Sequence, residues 1–70
     1  MSIVTKYQNP IMQYFEYTHL PENLQKVSKP FHELATTMEA SLHNGPEKIA
    51  GLRKLLEAKD CMVRAAFYRH

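Results

Sequence analysis

Apolar residues return every three or four positions through the middle of the chain: Leu24, Val27, Phe31, Leu34, Met38 and Leu42. That spacing is the stripe of a helix that packs along its length against another. Pro21 opens the segment and Pro30 falls inside it. A proline there removes one backbone hydrogen bond and crowds the carbonyl four residues back. The stripe keeps its phase across Pro30. The pattern therefore predicts a helix kinked at Pro30, or one broken there, with a first half from Pro21 to Ser28 and Ser28 capping the second. A further stripe, Ile49, Leu52, Leu56, Val63 and Phe67, predicts a helix from about Pro46 to Phe67. Between the two, His43-Asn44-Gly45-Pro46 reads as a turn. Gly45 or Asn44 would take the left-handed conformation that ends one helix, and Pro46 would start the next. So short a turn makes the two helices antiparallel neighbours.

Upstream, Asn9-Pro10 has the form of a helix start, an N-cap followed by proline at the first helical position. A short helix from about Pro10 to Thr18 is expected, carrying Ile11, Met12, Tyr14, Phe15 and Tyr17. Residues 1–8 are expected to be extended or poorly ordered. The predicted fold is all-α: one domain over residues 1–70, a helical hairpin with a short N-terminal helix folded beside it.

Size and composition limit what this hairpin can be. Seventy residues make one short folding unit with little interior. The single cysteine, Cys61, leaves no internal disulfide to compensate. Each helix can bury only part of its stripe within one copy, so self-association is expected. No apolar run is long enough to span a membrane, and Met1 to Gln8 lacks the apolar core of a signal peptide. The expected location is the cytoplasm, which agrees with the lone cysteine. Nine Lys/Arg against seven Asp/Glu is too even a balance for a general DNA or membrane binder. It leaves room for a local basic site that takes a small anion.

Several polar or aromatic residues break the pattern. At ~100° per residue, Asp60 falls inside the second stripe, between Leu56 and Phe67, with Arg53 and Arg64 on one side and Lys59 on the other. An acid on an apolar face is costly unless paired. Arg64, four residues on, is placed for an ion pair. Two readings follow: an ion-pair staple, or an arginine aimed by an aspartate at a ligand phosphate. Lys26 and Lys29 lie off the first stripe, where they serve solubility. Lys29 has a rival role, because a helix disrupted at Pro30 would let Ser28 and Lys29 form a small phosphate cup. Tyr14, Phe15 and Tyr17 cannot all face one way, since Tyr14 and Phe15 diverge by ~100°. At least one ring should point outward, suited to stacking on a nucleobase.

The four histidines show no metal-ligand spacing. His19 is expected to fix the turn before Pro21 by hydrogen bonding, and His32 to be exposed. Cys61 reads as a small packed residue rather than a nucleophile. Gly45 and Gly51 are isolated and form no phosphate loop. With no catalytic constellation, neither enzymatic activity nor a cofactor is expected.

Two blocks of the chain, Tyr14 to Ala35 (YFEYTHLPENLQKVSKPFHELA) and Leu52 to Ala65 (LRKLLEAKDCMVRA), resemble the small phage proteins that defeat CBASS immunity by sequestering its cyclic-nucleotide signals. The likeness lies in the aromatic pair before His19-Leu20-Pro21, then Val27-Ser28-Lys29-Pro30-Phe31, then Leu55 to Asp60 and Val63-Arg64-Ala65. It covers roughly half of the chain, and the pattern as a whole carries it rather than any one element. The resemblance implies helical hairpins assembled as hexamers. It implies pockets shared between protomers that hold cyclic dinucleotides uncleaved, and some members also bind cyclic trinucleotides at separate sites. Such a protein would act in the cytoplasm of an infected bacterium.

Carried over by position, the resemblance implies Tyr14 as the stacking ring, with Phe15 as the alternative one position on. It implies Lys29 on a phosphate and Arg64 reaching in from a neighbouring subunit. Ser28 and Lys26 are adjacent candidates. The competing expectation is a small helical module that binds and inhibits a host protein through its apolar stripes.

Overall fold

Among the described residues three helices form in order: a 3-10 helix over Pro10–Phe15, then α1 over Glu22–Ser41 and α2 over Pro46–Phe67. The structure is a computed structural model and describes residues 9–67. The expectation for residues 1–8 lies outside that range. The two long helices pair as a hairpin, and the 3-10 helix packs against both. No helix among the described residues is long and apolar enough to cross a membrane.

The N-terminal helix is shorter and tighter than the expected span to Thr18. Six residues are too few to offset the cost of nucleating an α-helix, and 3-10 geometry is the usual form of so short a piece. Its first bond runs from Met12 N–H to the Asn9 carbonyl at 3.0 Å. The Asn9 side chain makes no cap, because its amide is drawn instead to Glu39 at 2.8 Å. After Phe15 the chain turns, with Leu20 N–H donating to the Tyr17 carbonyl at 3.0 Å. The role expected of His19 falls to Gln25, whose Nε2 donates to the Leu20 carbonyl at 2.8 Å. His19 itself is exposed.

Helix α1 runs unbroken through Pro30, so of the two expectations there, a kink or a break capped by Ser28, the break is overturned. Pro30 and Lys26 are both exposed. The Lys26 carbonyl, which loses its partner to the proline ring, belongs to a turn that water can reach, so the loss is tolerable there. Ser28 is instead buried at 1% exposure. Helix α1 ends without the expected left-handed cap. Leu42 is extended (φ −112°, ψ 148°), and no described residue has positive φ. The reason is Lys48, whose ammonium donates to the Glu39 carbonyl at 2.7 Å and the Leu42 carbonyl at 2.9 Å. A side chain from α2 thus serves the unpaired C-terminal carbonyls that a glycine cap would otherwise arrange.

The core is small: Met12, Phe15, Ala35 and Leu52, flanked by the partly buried Ile11, Phe31, Met38, Leu55 and Leu56. Burial of each large side chain is worth about 1.5–3 kcal/mol. The 3-10 helix lies over one face of the hairpin, so the stripe residues on the other face stay open. Leu34 is 47% exposed and Leu42 50%. An apolar groove of about 270 Å³ runs there between Leu34, Met38, Leu42 and Leu55.

Candidate functional site

The end of the 3-10 helix is held from both long helices, the Tyr14 carbonyl by Lys59 of α2 and the Phe15 carbonyl by His32 of α1, and the site forms on the α2 side. Phe15 turns inward and is fully buried, while its neighbour Tyr14 is 59% exposed. The divergence expected between adjacent helical positions is therefore realised, and it corrects one candidate: Phe15 has no face free for a ligand. Tyr17 is also occupied, its ring meeting His32 edge-on at 5.1 Å. His32 is not exposed as expected. Its Nδ1 lies 3.2 Å from the Phe15 carbonyl, so it ties α1 to the end of the 3-10 helix.

Tyr14 lines a cleft of about 480 Å³ together with Gln13, Glu16, His19, Leu20, Lys59, Asp60, Val63 and Arg64. That volume falls within the usual range for small-ligand sites. The structure thus brings together Tyr14 and Arg64, candidates from opposite ends of the chain. Arg53 belongs elsewhere, to a neighbouring groove of about 380 Å³ shared with Tyr14, Ile49 and Leu56. Tyr14 thus lines both cavities, one with each arginine.

The expected Asp60–Arg64 pair is not formed. Asp60 Oδ1 lies 3.3 Å from the Lys59 ammonium, and Lys59 Nζ also donates to the Tyr14 carbonyl at 2.9 Å. Arg64 Nη2 donates to the Cys61 thiol at 3.4 Å, and sulfur is a weak acceptor. Of the five N–H donors of that exposed guanidinium, only one is so engaged, which leaves the group able to take an anion.

The remaining candidates do not join the cleft. Lys29 and Lys26 are exposed on α1 and do not line it. Ser28 cannot offer its hydroxyl to an anion from solvent, because it is buried and its Oγ has no hydrogen-bond partner among the described residues. Within one copy, the Ser28–Lys29 cup does not exist.

One polar centre escaped the sequence reading. At the turn end of the hairpin, Glu39 and Lys48 are buried at 6% and 7% exposure, with Oε1 and Nζ 3.2 Å apart. Asn9 completes the cluster, its backbone N–H donating to Glu39 Oε2 at 2.9 Å and its Nδ2 to Asn44 Oδ1 at 3.2 Å. The stripes gave little signal for it: at ~100° per residue Glu39 and Lys48 fall beyond the edges of their stripes, whereas Asp60 falls beside Ile49 and Phe67 on its own stripe. Each lies one turn from a buried residue, Glu39 from Ala35 and Lys48 from Leu52. The chain matches no protein-family model, no curated protein and no solved structure.

Proposed function

We propose that this chain is a phage counter-defence protein that sequesters cyclic dinucleotides without cleaving them, and so keeps CBASS effectors inactive. The observation that carries the reading is the convergence of an exposed ring, Tyr14, and an accessible guanidinium, Arg64, on one cleft of about 480 Å³. A cyclic dinucleotide presents two flat bases and two phosphate charges. Stacking on tyrosine and charge-assisted bonds from arginine answer those features directly. The likeness of the Tyr14–Ala35 and Leu52–Ala65 blocks to that phage family supports the same ligand class, with cyclic trinucleotides as a second.

In this proposal the open apolar face of the hairpin is where copies meet, as a homo-oligomer and by family likeness a hexamer. Exposed Lys29, absent from the cleft of its own copy, is then supplied to a pocket between copies. A two-fold pocket gives each half of the ligand one ring and two cations. Each charge-assisted bond contributes about 1.5–3 kcal/mol and each stack about 1–3 kcal/mol before ordering costs.

Calorimetry against a panel of cyclic di- and trinucleotides, with the mass of the assembly measured on the same sample, tests the reading. The expected result is tight binding by an oligomer that returns the nucleotide intact on denaturation. Linear products, or no binding, overturn it. The groove of Leu34, Met38, Leu42 and Leu55 also suits a second reading, a module that binds a host protein. That reading predicts a monomer or dimer indifferent to nucleotides.

A further inference from the structure

We infer that Lys59 is the residue that positions Tyr14, with Asp60 holding the lysine in place. This rests on the proposed nucleotide site and adds a residue that neither the resemblance nor the stripe pattern assigned to it. Tyr14 is the last residue but one of a six-residue 3-10 helix. The residue is 59% exposed, so packing alone does little to hold it. Its backbone must be held from elsewhere. Phe15, buried in the core, anchors one side, and the Lys59 ammonium, 2.9 Å from the Tyr14 carbonyl, anchors the other.

Lys59 suits this task. Its side chain is only 12% exposed, and Asp60 Oδ1 lies 3.3 Å from Nζ. Consecutive residues on a helix do not face each other. The carboxylate, at the rim of the cleft and 48% exposed, therefore reaches back to an ammonium that lies deeper. The carbonyls at the end of a helix carry a partial negative charge and favour a cation. Lys59 therefore commits its ammonium to a hydrogen bond with the Tyr14 carbonyl and an ion pair with Asp60, while Arg64, exposed and bonded among the described residues to the Cys61 thiol alone, is the more accessible cation for the ligand. A ring fixed before the ligand arrives loses less freedom on stacking.

The test has two parts. The first needs no ligand. The protein is labelled with fluorotyrosine, and the Tyr14 fluorine resonance is assigned by its loss in Tyr14→Phe. Lys59→Met should shift and broaden that resonance while the Tyr17 resonance stays in place. Lys59→Arg, which can still donate to the carbonyl, should restore it. A Tyr14 resonance unchanged in Lys59→Met overturns the inference.

The second part measures affinity for cyclic di-AMP and cyclic GMP–AMP. Lys59→Met should weaken binding about tenfold in the wild-type background. In a Tyr14→Ala background it should cost almost nothing, because there is no ring left to position. An equal loss in both backgrounds would make Lys59 a direct phosphate contact and overturn the positioning role. Should Lys59→Met not fold, Asp60→Asn in the same two backgrounds answers the same question, with a smaller loss confined to the Tyr14 protein. If the wild-type protein binds neither nucleotide, the proposed function fails. The fluorine spectra still decide whether Lys59 holds Tyr14.

Discussion

Lys48 and Lys59 lie about three turns apart on one face of α2, and both donate to backbone carbonyls near the end of a preceding helix. Each also has a carboxylate beside it. Their surroundings make them different devices. Lys48 and Glu39 have side chains 3% and 6% exposed, and Asn9 adds donors to the carboxylate. Lys59 is nearly as deep, but its partner Asp60 is 48% exposed and stands at the rim of a cleft with Tyr14 and Arg64. The same chemistry, closed over, locks the hairpin turn. Left half open, it arranges a surface that a ligand can reach.

The largest effect expected is at the closed end. Lys48→Met removes the buried ammonium that pairs with the Glu39 carboxylate and donates to two carbonyls, at a cost of about 3–5 kcal/mol. A domain this small has a net stability of only about 5 kcal/mol. Circular dichroism should therefore show a chain largely unfolded at room temperature. A melting point within a few degrees of wild type would show that the cluster is not what locks the turn.

Next is the open apolar face, which decides whether the cleft is completed by another copy. Leu34→Asp places a charge at the proposed contact and should weaken assembly by about tenfold or more. Light scattering should then find smaller particles whose helical content is unchanged. An unaltered mass would move the interface elsewhere.

At the half-open end the effects should fall on binding and spare stability. Arg64→Ala and Tyr14→Ala should each weaken cyclic dinucleotide binding about ten- to a hundredfold. Both residues are exposed, so the unfolding free energy should change by no more than about 0.5 kcal/mol. If Arg64→Ala instead dissociates the assembly, the arginine is a subunit staple. The smallest effect belongs to Asp60→Asn. Its ion pair is screened by water, so denaturant titration should show a loss below about 1 kcal/mol. A loss approaching that of Lys48→Met would erase the contrast between the two ends.

Much of the fold was legible in the chain. The steps through Leu24 to Leu42 and Ile49 to Phe67, with the short turn before Pro46, defined an antiparallel hairpin, and α2 spans Pro46–Phe67 as expected. The errors concern single residues rather than whole elements. Pro30 allowed a kink or a break, and the helix continues because the turn it disturbs faces water. Gly45 read as a left-handed cap, but Lys48 reaches across the turn to the same carbonyls. For the site, the rule that neighbouring aromatics must diverge anticipated an outward ring. It could not say that Phe15 would be the buried one. Asp60 falls inside its stripe by position, yet its side chain is half exposed at the rim of the cleft and its ion pair is with Lys59 rather than Arg64.

What the sequence determined by itself is local: how many helices form, where the two long ones run and that they fold back on each other. Helical periodicity and turn chemistry act over a few residues, so they can be read from a single chain. Only the tertiary structure decided which side of the hairpin the 3-10 helix covers. From that one placement follow the burial of Phe15, the exposure of Tyr14 and of Leu34, and the meeting of Tyr14 with Lys59 and Arg64. Burial and hydrogen bonding depend on the neighbour that arrives from elsewhere in the chain, and a helical stripe wide enough to face two neighbours does not specify which side each will take.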